Sequence, residues 1–167
     1  MNILFLDYDG VVNTLMWQLT STGKMQCLFN SPTDNKVNNF QACQWVSEFC
    51  QKYNYKIVVT STWRLLSNYR ECLINGGLRE GIEIIDKTPD LRYTHDHACR
   101  GEEIREWLIK HHNEVDDFII VDDEELGFDV DEQEYYADHF ILCDGNHGFG
   151  FAEMLKAESI HKAMNQL

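Results

Sequence analysis

The chain has 167 residues and a formal net charge of −14, with 44% hydrophobic and 12% aromatic residues. This length and composition are typical of one globular domain and exclude an extended disordered chain. No apolar run approaches the roughly 18 residues that a transmembrane helix needs, and the N-terminus shows no signal-peptide pattern, so we predict a cytoplasmic protein without membrane contact.

The first half of the chain predicts two strands that each end on polar residues. The apolar run Ile3–Leu6 stops at Asp7-Tyr8-Asp9-Gly10, a pattern typical of a buried strand that runs into a tight turn. Residues 10–35 are polar and weakly periodic, which predicts a loop or small flap. Apolar side chains then recur every three or four residues from about 36 to 53, which predicts a helix. A second buried strand follows over 56–59 and ends on Thr60-Ser61-Thr62.

The second half continues the alternation of helices and strands. We predict a helix from about Ser67 to Asn75, because Gly76-Gly77 is typical of a helix end. The remaining predicted elements are a strand over 82–85, a helix over 101–112, a strand over 118–121, an acidic exposed segment over 129–138, a strand over 139–142 and a helix over 151–164. This alternation predicts an α/β fold, a three-layer Rossmann-like parallel sheet with helices on both faces, in one domain over residues 1–167.

The charge is distributed unevenly along the chain. Residues 1–100 contain ten acidic and ten basic residues, whereas residues 101–167 contain eighteen acidic and four basic ones. Nonspecific nucleic-acid affinity comes mainly from phosphate neutralisation, so this acidity argues against a long nucleic-acid groove. Binding of one terminal phosphate stays compatible with the arginines of the neutral half, which are Arg64, Arg70, Arg79, Arg92 and Arg100.

Polar side chains follow three of the predicted strands, at the point where each strand ends. Asp7 and Asp9 follow the first strand, Thr60 and Ser61 the second, and Asp122-Asp123 the strand over 118–121. Because the carboxyl ends of parallel strands meet at one edge, we expect these side chains to converge. Two pairs of carboxylates at one edge are costly unless a cation neutralises them, which predicts a divalent-metal site.

The order and spacing of these residues resemble the haloacid dehalogenase-like (HAD) superfamily of phosphohydrolases. Its four motifs correspond to DYDG at 7–10, VVTS at 58–61, the cation Arg100 before a helix, and IIVDD at 119–123. The stretches FLDYDGVVN, TSTWR, CRGEEIREWL and IIVDDE are most similar to the small HAD domains of RNA-repair and polynucleotide-end-processing proteins. The resemblance implies an HAD-like fold with a minimal flap at 10–35 and no large cap domain.

The resemblance also implies roles in phosphate chemistry. Asp7 would attack phosphorus and form an aspartyl-phosphate, and Asp9 would protonate the leaving oxygen and then deprotonate the hydrolytic water. Thr60, or alternatively Ser61, would hydrogen-bond the phosphoryl oxygens, and Arg100 would neutralise them. The alternatives to Arg100 in this role are Lys87 and Arg92.

The expected cofactor is Mg²⁺, a hard cation that prefers oxygen ligands. By the same resemblance, Asp7, the backbone carbonyl of Asp9 and Asp122 would hold the ion, and Asp123 would position a water bound to it. The ion would also shield the anionic phosphate from the carboxylate nucleophile.

These residues predict a Mg²⁺-dependent phosphomonoester hydrolase. The segments between the motifs are too short for a cap domain, and an open site favours large substrates whose phosphate protrudes, such as a nucleic-acid end or a phosphoprotein. The resemblance to RNA-repair domains favours a nucleotide or a nucleic-acid end among these. Two alternatives stay open: an HAD phosphatase for small metabolites or phosphoproteins, and a catalytically silent HAD-like binding module. No obligate protein partner is inferred.

Two further features allow more than one interpretation. Trp63 lies next to Arg64 and could stack on a nucleobase or pack in the core. His95, His97 and Cys99 have alternating spacing but lack the usual partner cluster of a zinc site, so we predict a loop beside the phosphate site.

Overall fold

A parallel sheet of five strands forms the centre of the fold in the computed structural model, which describes residues 1–22, 40–92, 99–127 and 136–165. The strands are β1 (Asn2–Leu6), β2 (Tyr55–Val59), β3 (Ile84–Lys87), β4 (Asp117–Asp122) and β5 (Phe140–Leu142), in the order β3-β2-β1-β4-β5. All neighbouring strands run parallel, so their carboxyl ends lie at one edge of the sheet. The order reverses between β1 and β4, and ligands of open α/β sheets bind outside such a reversal.

Helices cover both faces of this sheet. They are α1 (Leu15–Thr22), α2 (Phe40–Tyr53), α3 (Tyr69–Asn75), α4 (Arg100–Lys110) and α5 (Phe151–Met164), with a short 3₁₀ helix at Thr62–Leu65. Leu4 and Leu6 of β1 pack in one apolar cluster with residues of α2 and α5. Ile3 and Phe5 point to the opposite face and pack with residues of α4. The predicted three-layer α/β fold is therefore confirmed.

The observed boundaries differ from the predicted ones mainly around α1 and β3. Residues 10–35 were expected to be loop or flap, but Leu15–Thr22 is helical, and 23–39 lie outside the described residues. Strand β3 begins at Ile84 rather than at residue 82, and its pairing with β2 is irregular between Ile57 and Val58. Edge position explains the error, because β3 is only partly buried and shows no clean apolar run.

Some expectations concern residues that the structure describes only in part. Most of the acidic segment predicted over 129–138 lies outside the described residues, and at its end Tyr136 is buried while Asp138 is exposed. His95 and His97 also lie outside the described residues. Within the described ranges, every helix is too short or too polar to cross a lipid bilayer.

Candidate active site

Three polar residues lie side by side where the strand order of the sheet reverses. Leu6, the last residue of β1, pairs with Val59 of β2 and Val121 of β4. The next residues of these strands are Asp7, Thr60 and Asp122. Backbone hydrogen bonds continue the ladder to this point, since the Asp7 N–H donates to the Val121 carbonyl over 3.1 Å and the Thr60 N–H to the Leu6 carbonyl over 3.0 Å.

Helix α4 brings a cation to the same point. Side chains alternate between the faces of a strand, so positions 7, 60 and 122 share the face of Phe5, Val58 and Ile120, which pack with α4. Arg100, the first residue of α4, donates from Nη1 to Asp7 Oδ1 over 2.5 Å and to Asp122 Oδ2 over 2.8 Å. One guanidinium therefore bridges carboxylates of two adjacent strands.

Asp123 adds a third carboxylate to this cluster. One ligand atom from each of Asp7, Asp122 and Asp123 lies within 4.8 Å of the others. Two glycines leave the space that the Asp123 carboxylate fills. A Cβ on Gly10, whose φ is +69°, would overlap the carboxylate, and a Cβ on Gly145 would lie 2.7 Å from its Oδ2.

The acidic cluster carries more negative charge than Arg100 neutralises. Burial, reinforced by the charge of Asp7, raises the pKa of Asp122 to about 7 and the pKa of Asp123 to about 6. Although burial of Arg100 opposes its charged form, the carboxylates of Asp7 and Asp122 raise its pKa. Burial and mutual repulsion disfavour the negative charges of these carboxylates, and their clustered oxygens are ligands that fit a hard divalent cation such as Mg²⁺.

Asp9 lies in a different environment from these three carboxylates. Its Oδ1 accepts a hydrogen bond of 2.6 Å from Asn13 Nδ2, and its Oδ2 accepts one of 2.8 Å from Trp63 Nε1. Burial raises the pKa of Asp9, whereas these two hydrogen bonds act in the opposite direction. Among the described residues, its side chain is not part of the group that could hold a metal ion.

The two candidate hydroxyls are both buried but differ in their contacts. Ser61 Oγ accepts a hydrogen bond of 3.4 Å from the Trp63 N–H and so caps the 3₁₀ helix. Thr60 Oγ1 is buried without a hydrogen-bond partner among the described residues. A buried hydroxyl without a partner is costly, and a phosphoryl oxygen beside Asp7 would satisfy it.

The other basic candidates are engaged elsewhere. Lys87 Nζ donates to the Arg64 carbonyl over 2.8 Å and lies over the ring of Tyr69. Arg92 pairs with Asp90 over 2.8 Å. Arg64 is 2% exposed and forms a buried ion pair with Glu103 of 2.6 Å. Further contacts link Arg70 to the Ile85 carbonyl and Arg79 to Glu48.

Sequence reasoning missed the contacts of four residues near the predicted site. Trp63, which left two interpretations open, is 7% exposed and hydrogen-bonded to Asp9, so it does not present its ring for stacking on a base. Asn13 ends the stretch FLDYDGVVN, but the resemblance assigned it no role, and Gly145 lies in a turn without a distinctive sequence signal. Gln18 contacts Asn13 from helix α1, which was not predicted.

Comparison with known proteins identifies the family. Residues 3–153 match the family described as the HAD domain in Swiss Army Knife RNA repair proteins. No curated protein and no solved structure matches the chain significantly. The matched region includes every residue of the five strands except Asn2 and each residue of the cluster at Asp7, and it agrees with the resemblance seen in the four motifs. The chain therefore belongs to the family of HAD domains found in Swiss Army Knife RNA repair proteins.

Proposed function

We propose that this protein is a Mg²⁺-dependent phosphomonoester hydrolase that acts through an aspartyl-phosphate on Asp7. The observation that carries the proposal is that Asp7 contacts the Arg100 guanidinium and lies in one cluster with the carboxylates of Asp122 and Asp123. A nucleophile, a cation and an oxygen-rich cluster at one sheet edge are the parts that phosphoryl transfer to a carboxylate requires.

In the first step an Asp7 carboxylate oxygen forms a bond to phosphorus. The bond from phosphorus to the ester oxygen breaks, and the leaving oxygen takes its proton from the carboxylic acid of Asp9. Arg100 and the hydroxyl of Thr60 stabilise the charge on the phosphoryl oxygens, Thr60 being favoured over Ser61 because its Oγ1 lacks a partner among the described residues.

In the second step Asp9, now a carboxylate, removes a proton from a water molecule. The water oxygen attacks phosphorus, the bond to Asp7 breaks, and inorganic phosphate leaves. Asp7 returns as a carboxylate and Asp9 as an acid, so the net reaction consumes one water molecule and releases an alcohol and phosphate.

The residues that would hold Mg²⁺ are Asp7, Asp122, Asp123 and the backbone carbonyl of Asp9. When bound, Mg²⁺ would lower the repulsion between the phosphate and the acidic cluster. The close approach of Asp123 to Gly10 and Gly145 supports this assignment, because it holds a third carboxylate against the other two.

The proposed substrate is the phosphorylated end of a nucleic acid or a nucleotide. The family supports this choice because its members occur in RNA repair proteins. Residues 10–39 and 88–99, which follow the first motif and strand β3, are too short to form a cap domain that would enclose a small metabolite. The acidity of residues 101–167 limits the contact expected with a long polynucleotide, which favours recognition of an end.

The decisive experiment compares Asp7→Asn with the wild-type protein on p-nitrophenyl phosphate in the presence of Mg²⁺. We expect Asp7→Asn to abolish turnover, EDTA to silence the wild type, and added Mg²⁺ to restore it. Asp138→Asn, an exposed acid away from the cluster, is the matched control and should retain full activity. Hydroxylamine trapping followed by mass spectrometry should place the modification on Asp7. Turnover by Asp7→Asn would contradict the assignment of the nucleophile.

The substrate class is tested separately from the chemistry. Oligonucleotides with a 3′- or 5′-phosphate should be hydrolysed with a higher kcat/KM than sugar phosphates or phosphopeptides. If small esters or phosphopeptides are hydrolysed equally well, the preference for nucleic-acid ends is wrong while the aspartyl-phosphate chemistry stands.

A further inference from the structure

We propose that Trp63 and Asn13 are positioning residues that fix the carboxyl group of Asp9 for proton transfer, and that Gln18 extends this control to helix α1. The inference rests on the proposed function, because it assigns supporting residues to the proposed acid and base. Neither the HAD motifs nor the family match gives these three residues a role.

The two oxygens of Asp9 are each held by one donor from a different part of the chain. Asn13 Nδ2 lies 2.6 Å from Oδ1, and Trp63 Nε1 lies 2.8 Å from Oδ2. The donors come from two separate segments, one from the turn after β1 and one from the 3₁₀ helix after β2. Rotation of the carboxyl group would break both hydrogen bonds, so its plane is fixed.

Gln18 determines the orientation of the Asn13 amide. Gln18 Nε2 donates to Asn13 Oδ1 over 2.9 Å, so the carbonyl of this amide faces α1 and its NH₂ group faces Asp9. The hydrogen bonds Gln18–Asn13 and Asn13–Asp9 therefore link helix α1, which follows the first motif, to the second aspartate of that motif, and Trp63 binds the other oxygen of this aspartate.

Both direct donors are themselves held rigidly. Asn13 is 3% exposed, and its backbone N–H donates to the Tyr8 carbonyl over 2.7 Å while its own carbonyl accepts from Gly10 over 3.0 Å. Trp63 is 7% exposed, and its ring packs against that of Tyr8 with centroids 5.8 Å apart. The indole N–H of Trp63 can only donate a hydrogen bond, so Asp9 Oδ2 must be the acceptor in this contact.

The role predicts a specific dependence on the leaving group. The value of kcat/KM includes every step up to expulsion of the alcohol, in which Asp9 is the acid. A p-nitrophenolate leaves with little protonation, whereas an alkoxide needs a proton from a correctly placed donor. Loss of positioning should therefore slow hydrolysis of an alkyl phosphate much more than hydrolysis of an aryl phosphate.

The test measures kcat/KM for p-nitrophenyl phosphate and for glycerol phosphate with saturating Mg²⁺. General acid catalysis contributes about 10²–10⁴-fold, so we expect Trp63→Phe to reduce kcat/KM for glycerol phosphate roughly 10- to 100-fold and for p-nitrophenyl phosphate less than about 3-fold. Asn13→Ala should show the same selective loss, and Gln18→Ala a smaller one in the same direction.

Trp107→Phe is the matched control. Trp107 is 3% exposed, and its indole also donates to a carboxylate, Asp86, over 2.7 Å. This variant therefore loses the same kind of hydrogen bond at the same kind of buried position, but not at Asp9. Its ratio of kcat/KM between the two esters should equal that of the wild type.

The outcomes separate this inference from the proposed function. Equal losses on both esters in Trp63→Phe and Asn13→Ala, with an active wild type, would overturn the positioning role alone. If Trp63→Phe does not fold, the variants Asn13→Ala and Gln18→Ala test the inference instead. An unchanged ratio of kcat/KM between the two esters in both of these variants would overturn it. A wild type that hydrolyses neither ester would overturn the proposed function and this inference with it.

Discussion

Two arginines near the same sheet edge have different roles, which their contacts reveal. Arg100 reaches the carboxylates of Asp7 and Asp122 and retains 23% side-chain exposure. Arg64 is 3% exposed in its side chain and binds Glu103 together with four backbone carbonyls, those of Thr60, Ser61, Thr88 and Pro89. The first arginine faces the candidate reaction site, and the second joins three segments around it.

Arg64→Met should lower the free energy of unfolding by about 3–5 kcal/mol, because it leaves the buried Glu103 carboxylate without its partner. Urea denaturation followed by circular dichroism measures the loss. Arg79→Met is the matched control, since Arg79 pairs with Glu48 at a half-exposed position and such pairs contribute less than about 1 kcal/mol. Similar losses in both variants would contradict a special role for the buried pair.

Gly145→Ala tests the space around Asp123 without removing an acid. Its Cβ would lie 2.7 Å from Asp123 Oδ2, so the carboxylate must shift from its position in the cluster with Asp7 and Asp122. We expect about a 10-fold weaker affinity for Mg²⁺ by isothermal titration, the lower end of what loss of a supporting residue costs a metal site. Gly81→Ala, where a Cβ would meet nothing within 4 Å, is the control for a backbone substitution, although its positive φ adds strain. An unchanged affinity for Mg²⁺ in Gly145→Ala would contradict the assignment of Asp123 to the metal site.

At the scale of elements, the sequence predicts the strands that end on polar residues, but it does not predict which distant residues contact those polar side chains. β1, β2 and β4 are recognisable because each apolar run stops at Asp7, Thr60 or Asp122, a local signal that depends on neighbouring residues only. The contact between Trp63 and Asp9 spans 54 residues, so no local pattern could reveal it. Helix α1 was missed because it is only eight residues long, and its apolar residues Leu15, Met16 and Leu19 are exposed in the structure.

The opposite edge of the sheet is joined to helix α5 by a polar cluster. Tyr55 at the start of β2 donates to Asp117 Oδ2 at the start of β4 over 2.7 Å, and His161 Nδ1 of α5 lies 3.2 Å from the Tyr55 hydroxyl. Because amino ends of parallel strands lie away from the ligand edge, this cluster serves attachment of the helix rather than the reaction.

Tyr55→Phe should therefore reduce stability without altering catalysis. The substitution leaves the buried Asp117 carboxylate without its hydroxyl donor, which costs about 1–3 kcal/mol. Thermal unfolding measures the loss, and kcat/KM for p-nitrophenyl phosphate should equal the wild-type value. A changed kcat/KM in a fully folded variant would contradict the separation of the two edges.

At the scale of the whole molecule, the net charge of −14 and the acidic cluster oppose the folded state in different ways. Diffuse repulsion among exposed acids is screened by any salt, since the Debye length is about 10 Å at 0.1 M ionic strength. In the acidic cluster, Asp7 and Asp122 are buried and Asp123 is half-buried, so ordinary salt screens their charges much less, and a cation bound between the carboxylates would neutralise them.

The pH dependence of thermal stability distinguishes these two effects. The pKa values of Asp122 and Asp123, about 7 and about 6, lie above the pKa of an aspartate in an unfolded chain, about 3.9. At pH values between the unfolded and the folded pKa, the folded protein therefore binds more protons than the unfolded chain. The stability that these groups contribute is complete below about pH 4 and is lost as the pH rises through 6 and 7. Without a divalent cation, the cluster should therefore lower the Tm progressively over this range.

Mg²⁺ should restore this stability only where the carboxylates are ionised. At constant ionic strength, replacing NaCl by MgCl₂ should raise the Tm more at pH 8 than at pH 5.5, because protons compete with the ion for Asp122 and Asp123 at the lower pH. The variant Asp122→Asn should lose most of this Mg²⁺-specific increase and keep the response to NaCl, which acts on the charge of the entire surface. An equal increase with both salts, or one independent of pH, would assign the effect to screening and leave the cluster without a role in metal binding.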